Sequence, residues 1–545
     1  MRVLLIYPKR DPQSRLRTQF SQERIHQLVC WPLPVRSYGL MFNGIETLAA
    51  LTPDWVELDI VNENLRDIDF DAKVDLVAMT VMVTNATRAY QIADRFRKRG
   101  VKVVMGGYHP YMIPQNTLQH CDAICVSEAE YLWEDMLQDA RDGRLKPIYA
   151  QTTKTEMSKI RHLPRVRRRD WMQHVSLTLQ ASRGCPFDCD FCSIVQMLGH
   201  DMRYKTPENL CAELEVIYKN DWLGRVFCRP IFFVDDNIFG HPRTLKELLR
   251  GIIRLNNKYP KFTPVFGSQM TINVHKDKEA LALLEEAGFY NIFMGLESQD
   301  KETLRAYNKL HNIAFSYDEA VRKMREHGME VIGSFIFGTD TDTPRAFEQT
   351  YEFFDRVNLL YPYFNILTPT ARQWKRFMEQ GRILTVKPKL YDAHHTVFVP
   401  MKMRPIELQQ GFVDLVQRTF DYANISKRML AVYVENPVRK PKLQMSKMLE
   451  RAAFHKLRWS LKHLGDAGSL AFLDGMKPHV WSGRIPVAAL LLQIDQHDFA
   501  TRLEHATAEH FYNLDVPAWQ DRERVPESPG VASEGLGHEI AAMVR

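Results

Sequence analysis

The sequence predicts an α/β protein in three parts: a doubly wound, Rossmann-like domain over 1–150, a partial (β/α)6 TIM-like barrel over 174–385, and a mostly α C-terminal region over 386–545. Three observations predict it. Short apolar runs alternate with helix-spaced segments through the first 150 residues, the same alternation resumes from 174 to about 370, and it stops after residue 371. Strands that are apolar throughout, with helices between them, belong to parallel sheets covered on both faces. A chain of 545 residues is also too long for one core, since roughly 100–200 residues make a domain.

In chain order, RVLLIYP (2–8), VELDIVNE (56–63), DLVAMTV (75–81), KVVMGG (102–107) and AICVSE (123–128) read as the strands of the first sheet. The segments 85–100 and 130–143 carry apolar residues at helical spacing and end on Gly100 and Gly143. Ligands of such sheets sit beyond the carboxyl ends of the strands. Those ends carry Pro8, Val81 to Thr84, the run Gly106-Gly107-Tyr108-His109-Pro110, and Ser127-Glu128. The two glycines leave room either for a bulky ring against the backbone or for an ordinary tight turn. Residues 151–173, with RHLPRVRRRD, form a basic stretch that reads as a solvated linker.

The second region opens on VSLTLQASRGC and continues with strands at 230–236, 264–271, 291–298, 331–338 and 363–369. Helical segments fall at 207–219, 243–257, 277–287, 315–327 and 344–356. This is short of the ~250 residues of an eightfold barrel, hence the incomplete one. Polar side chains gather at the strand ends: Asp235, Asp236, Asn237, Gln269, Glu297 and Thr339. Further on, 405–424, 443–464 and 500–513 read as helices, and the last ~20 residues as a frayed end. Tyr391, Phe398, Phe412 and Trp459 read as core residues before pocket residues.

No apolar run reaches the ~18 residues of a membrane span, and MRVLLIYPKR reads as a first strand rather than a leader. A cytoplasmic protein is therefore expected, in which clustered cysteines mean metal or catalysis before disulfides. A net charge of +6 over this length does not indicate nucleic acid; it suits an anionic ligand and allows a peripheral membrane contact.

Three of the eight cysteines, Cys185, Cys189 and Cys192, fall within ASRGCPFDCDFCSIV (181–195), in a loop leaving the first barrel strand. Thiolates are soft ligands suited to iron–sulfur clusters. Zinc normally asks for a fourth Cys or His close by, and the nearest, His200, is eight residues on. Three ligands on a four-iron cluster leave one iron open to chelate a substrate. Cys30, Cys121, Cys125, Cys211 and Cys228 read as small buried residues.

Cys185-Pro-Phe-Asp-Cys189-Asp-Phe-Cys192 after Ser-Arg-Gly resembles the CxxxCxxC signature of radical S-adenosylmethionine enzymes. FFVDDNIF (232–239), FMGLESQDKETLRAYNK (293–309) and GSFIFGTDTDT (333–343) look like later strand motifs of that superfamily. The first half is similar to the cobalamin-binding domain of one large subgroup, through YGL (38–40), the stretch from DLVAMTV to GGYHPYMIP, and DAICVSEAEYLW. EQGRILT and YDAHHTVFVPMKMRPIELQQGF (391–412) resemble an extension found in hopanoid-methylating relatives.

The resemblance implies a 4Fe–4S cluster on Cys185, Cys189 and Cys192 and S-adenosylmethionine on its open iron, cleaved by a cluster electron into methionine and a 5′-deoxyadenosyl radical. It places Asp235 and Asp236 near the amino group, Gln269 near the ribose, Glu297 near the bound nucleotide and Phe191 near the adenine. Each also has a plainer reading: helix caps for the aspartates, backbone satisfaction for Gln269, a buried ion pair for Glu297, core for Phe191. Arg183 either balances cluster charge or forms a salt bridge. For cobalamin the candidates are Thr84, Gly106, Gly107, His109 and Glu128. The DxHxxG pattern that supplies an axial histidine elsewhere is missing, so no histidine is expected on cobalt. The implied function is methyl transfer to an unactivated carbon of a hydrophobic or natural-product small molecule, with an external one-electron reductant such as flavodoxin or ferredoxin. The alternative is radical cyclisation, rearrangement or oxidation without methyl transfer.

Overall fold

The computed structural model describes residues 1–9, 43–160, 174, 176–221, 229–260, 262, 264–435 and 447–514. YGL (38–40), Cys30, Cys228, most of the basic stretch and the C-terminal tail lie outside these residues. The first sheet has six parallel strands in the order β2-β1-β3-β4-β5-β6: β1 (Arg2–Tyr7), β2 (Glu57–Asn62), β3 (Leu76–Thr80), β4 (Lys102–Gly106), β5 (Ala123–Cys125) and the short β6 (Ile148–Tyr149). The order reverses between β1 and β3, which makes a switch-point crevice beyond their carboxyl ends. Asn85 ties the crevice together: its side chain donates to the Pro8 carbonyl at 3.3 Å and accepts the Met82 N–H at 2.8 Å. Cores on both faces, around Ile92 and Phe96 on one and Trp133 and Leu137 on the other, explain why the strands are apolar throughout.

The second sheet is also six-stranded and wholly parallel, with sequential neighbours: β7 (Leu177–Leu179), then β10 (Pro230–Phe233), β11 (Val265–Gln269), β12 (Phe289–Glu297), β13 (Glu330–Phe337) and β14 (Tyr361–Ile366). Between β7 and β10 a two-residue pair, β8 (Ser182–Arg183) and β9 (Arg203–Tyr204), runs antiparallel. The helices start where the sequence supplies caps. Thr206 accepts the Asn209 N–H at 3.2 Å ahead of Pro207–Asn220, and Asp277 accepts the Ala280 N–H at 3.0 Å ahead of Lys278–Ala287.

Alternation along the barrel strands separates two faces. Phe233, Ile292, Met294, Val331, Phe335 and Phe364 are fully buried under the helices, with Phe233, Phe266 and Phe289 in mutual ring contact at 5.4–5.6 Å. The other face, with Phe232, Phe293, Ile332, Ile336 and Tyr363, is only half-buried. Among these aromatic and aliphatic groups the same face carries Asn291, Ser334 and Asn365, with Asn365 donating to the Ser334 hydroxyl at 3.3 Å.

The C-terminal region is helical, as expected, with different boundaries. The predicted 405–424 is two helices, Pro405–Thr419 and Tyr422–Leu430, because the Asp421 side chain caps the second by accepting the Ala423 N–H at 2.8 Å. Ala467–Trp481 was not legible, and 500–513 is the end of a longer helix, Val487–Leu514. Phe398 and Phe412 are core, but Trp459 is half-exposed: it lies on the opposite face of Lys447–Leu464 from the buried Phe454, Leu457 and Leu461.

Candidate active site

The three-cysteine loop leaves β8 and is bracketed by β10. Asp235, fully buried just beyond β10, accepts the Ala181 N–H at 3.2 Å, the Ser182 hydroxyl at 2.5 Å and the Ser182 N–H. Its oxygens are occupied by the chain itself, so it fixes the loop's origin and is not free for a ligand's amino group, as its sequence position had suggested. Asp236 accepts the Gly184 N–H at 3.1 Å and is less enclosed. Burial raises Asp235 to about 7 and Asp236 to about 6.

Within the loop, the Cys192 N–H donates to the Cys189 carbonyl at 3.0 Å, which folds the cysteines into a tight turn. Cys189 is buried while Cys185 and Cys192 are half-buried. Burial pushes the Cys189 thiol up to about 12 and Cys192 up to about 11, and the three sulfurs lie close enough to raise one another further. Among the described residues, no three Cys, His, Asp or Glu side chains close on one point as a single metal ion requires. The thiols lie near one another in a desolvated loop, and soft sulfur donors of this kind suit an iron–sulfur cluster.

Two further segments wall the loop. The Asp190 N–H donates to the Tyr307 carbonyl at 2.9 Å, Asn308 donates to the Asp188 carbonyl at 2.8 Å, and the His311 and Phe187 rings stack at 3.7 Å. Helix Ala371–Glu379 pins the same loop through Arg372 to Asp188 (2.8 Å) and through Gln373 and Arg376 to Asp190 (both 3.1 Å).

Glu297 ends β12 at a register shift with φ 63°, a left-handed backbone uncommon for a residue other than glycine. Its carboxylate meets the Lys309 ammonium at 2.5 Å, and its second oxygen is buried without a partner. A side chain at Gly295 would occupy the space of both groups, so this glycine makes room for the pair. Burial opposes the Lys309 charge, but Glu297 and Cys189 beside it raise its proton affinity above the usual lysine value. Strained backbone with an orphaned buried oxygen marks functional sites. Glu297 thus forms a buried ion pair with a lysine that lies beside the cysteines, and keeps one oxygen unpartnered. Phe191 packs edge-on against Tyr307 (4.9 Å) with the Lys309 ammonium 5.5 Å from its ring centre. The Gln269 side chain is exposed at the mouth of the lumen.

The first sheet meets this loop from the other side. Arg183 bridges Glu128 (3.0 Å) and Glu130 (2.5 Å), and Arg203 reaches Glu128 at 2.9 Å, all with little solvent exposure. Glu128 also accepts the Thr155 N–H at 2.9 Å. Burial disfavours its carboxylate, yet Arg203 and Arg183 hold it below the usual range. Glu128 is thus a fastener between the sheet and the cysteine loop, and Arg183 is a salt-bridge residue. Tyr108 lies near Ser193 and Cys192, and the Tyr111 hydroxyl donates to the Gln196 carbonyl at 3.1 Å. Gly107 (φ 101°) packs where a Cβ would stand 2.9 Å from the Val81 carbonyl, which favours the tight-turn reading of GGYHP. His109 is buried beneath that turn, with Nε2 on the Tyr90 hydroxyl at 2.7 Å, and burial lowers it to about 4. Its Nδ1 is buried with no hydrogen-bond partner. Gly106 ends β4 and Thr84 lies in the single turn Val83–Asn85 at the switch point. Pro388–Leu390 packs against that turn from the C-terminal region.

Sequence reading missed Lys309, twelve residues beyond Glu297 in a motif that carries no periodic link between them, and Tyr108, inside a run noticed for its glycines. Glu128→Gln is expected to weaken the joint by about 3 kcal/mol, since it leaves two guanidiniums short of charge. The urea midpoint falls, while Glu134→Gln on an exposed face leaves it unchanged.

The three-cysteine loop at the end of a parallel sheet lies in the stretch that defines the class: residues 179–354 match the Radical SAM superfamily, so the chain carries a radical S-adenosylmethionine domain. Among curated relatives it is 29% identical over 405 residues to a bacteriochlorophyllide d C-8(2)-methyltransferase of Chlorobaculum tepidum, covering 72% of this chain and 88% of that one. It is 28% identical over 350 residues to the hopanoid C-2 methylase of Rhodopseudomonas palustris, covering 63% and 65%. Among solved structures, OxsB with aqua-cobalamin and S-adenosylmethionine bound superposes with a TM-score of 0.58 at 15% identity, over 94% of this chain and 79% of that one. TsrM from Kitasatospora setae, with cobalamin and a [4Fe-4S] cluster, superposes at 0.57 and 13% identity, over 85% and 99%. These likenesses bear out the fold: a doubly wound domain joined to a partial barrel. No helix among the described residues is long and apolar enough to cross a membrane.

Proposed function

We propose that the chain is a cobalamin-dependent radical S-adenosylmethionine methyltransferase that methylates an unactivated carbon of an apolar small molecule. One observation carries this reading: the cysteine loop is clamped between the carboxyl ends of two parallel sheets, each the ligand-binding end of its fold. In this reading 1–150 receives cobalamin, 151–173 links, 174–385 holds the cluster and nucleotide, and 386–545 covers them.

Cys185, Cys189 and Cys192 would hold a 4Fe–4S cluster. The desolvated thiols need a compensating cation to ionise, and Lys309 supplies one. Asp236, Gln269, Glu297 and Phe191 remain beside the lumen for the nucleotide, whereas Asp235 positions the loop. Cobalamin would meet the turn at Thr84, the backbone at Gly106 and the apolar Met82, Ile113 and Val386, which are exposed, with His109 and Glu128 taken up by protein partners. When bound, the cluster supplies the electron that cleaves the sulfonium and cobalamin supplies a transferable methyl group. This chain's residues bind, orient and exclude water. Each turnover consumes two S-adenosylmethionine molecules and two electrons, drawn from a flavodoxin- or ferredoxin-type carrier in the cytoplasm. Phe232, Phe293, Ile332, Ile336 and Tyr363 on the half-buried barrel face support an apolar substrate, and the methyltransferase names of the relatives support the reaction.

Anaerobic incubation of the cobalamin- and cluster-loaded enzyme with lipid and pigment extract from a strain lacking the gene, and with methyl-labelled S-adenosylmethionine, tests it. A labelled product with equal 5′-deoxyadenosine and S-adenosylhomocysteine is expected. Substrate-dependent deoxyadenosine alone would replace methylation by cyclisation, rearrangement or oxidation.

A further inference from the structure

We propose that the outward face of helix Lys447–Leu464 docks the enzyme on an anionic lipid bilayer. The helix buries Phe454, Leu457 and Leu461 against the C-terminal bundle. On its opposite side Met448, Ala452, His455 and Trp459 recur at i, i+4, i+7 and i+11, one solvent-facing stripe about 16 Å long. Met448 is 76% exposed and Trp459 50%, with the His463 ring 3.9 Å from the indole.

Beside this stripe runs a row of cations. Lys447, Arg451 and Lys462 on the helix, and Lys477 on the next one (Ala467–Trp481), are exposed and carry no ion pair among the described residues. Arg451 and Lys477 both lie over the Trp481 ring, at 5.8 and 5.3 Å, which puts them on one surface. The carboxylates nearby are already engaged. Glu450 points inward to the Val487 N–H at 2.9 Å, Asp474 pairs with Arg458 at 2.7 Å, and Asp466 caps the next helix through the Ser469 N–H at 2.9 Å. The surface is therefore positive along one flank of the exposed Met and Trp. An amphipathic helix with Trp opposite its buried side and Lys/Arg along the flank lies in the headgroup region of a membrane. Its cations meet anionic headgroups and the indole sits at the boundary. A nucleic acid would satisfy the cations but leave Met448 without a partner of its kind.

The test uses the full-length chain and sedimentation with vesicles of phosphatidylcholine alone or with 30% phosphatidylglycerol, at low salt. Binding to the anionic vesicles is expected to exceed binding to the neutral ones at least tenfold and to be lost in 0.5 M NaCl. The Met448→Glu/Trp459→Glu variant should bind at least tenfold less while its thermal unfolding is unchanged. Wild-type fluorescence should shift to the blue on binding, and Trp459→Phe should lose most of that shift. Cys189→Ala should dock like the wild type, so failure of the proposed reaction and failure of docking are separable. Equal binding to neutral and anionic vesicles, undiminished binding by the double variant, or capture by a short DNA duplex in preference to vesicles would each overturn the proposal.

Discussion

Cys189→Ala is expected to give a folded chain that no longer holds iron and sulfide after anaerobic reconstitution and forms 5′-deoxyadenosine only at background. Cys189 is the most deeply buried of the three cysteines, and the Cys192 N–H folds back onto its carbonyl. The loop backbone is held by Asp235, Asp236, Tyr307 and Asn308 rather than by sulfur, so the loop keeps its shape without the thiol. The thiol is protonated when no metal is present, because burial raises it to about 12, and losing it removes no buried charge. The stability change should therefore stay within about 1 kcal/mol. Iron, sulfide and nucleotide cleavage are the readouts. Retained iron with undiminished cleavage would remove the cluster assignment.

Lys309→Met carries the second large effect. It strips the cation that faces both Glu297 and the buried sulfurs, and strands the Glu297 carboxylate, at a cost of about 3–5 kcal/mol. Lys309→Met/Glu297→Gln removes both charges together and should recover most of that stability. The chemistry should not recover: deoxyadenosine formation stays roughly 100-fold down, and the cluster of the double variant is reduced at a more negative potential. The potential separates a charge-balancing role from a merely structural one, which would leave it unmoved. A double variant with wild-type potential and activity would show that the pair only shapes the end of β12.

Both effects centre on residues that sequence reading reached unequally. The cysteines are legible because ligand spacing is local. So are the strands of the two sheets other than the two-residue β6, and the barrel helices opened by Thr206, Asp277 and Ser316 as side-chain caps, whereas Lys301–Ala306, capped by Asp300, is too short to make a pattern. Ala467–Trp481 hid because it contains Gly468, Gly475 and Pro478 and little apolar periodicity. The pairing of β8 with β9 hid because two residues make no pattern. Which role Asp235 takes is not legible, because a strand-end carboxylate looks alike whether it faces a ligand or a neighbouring loop. Glu128 and Lys309 gain their meaning from partners 55 and 12 residues away. Trp459 was mistaken for core because an aromatic residue on a helix does not declare its side until the neighbouring helices are placed.

The wall around the cysteines is assembled from 108–130, 307–311 and 372–376, brought together from across nearly half of the chain. During synthesis the cysteines emerge long before Arg372 and Arg376 do, and domains form from the amino end. The hollow is therefore complete only once residue 376 has emerged, and iron loading belongs after that point. A nascent chain stopped short of residue 371 would present the same three thiols with one side open to water.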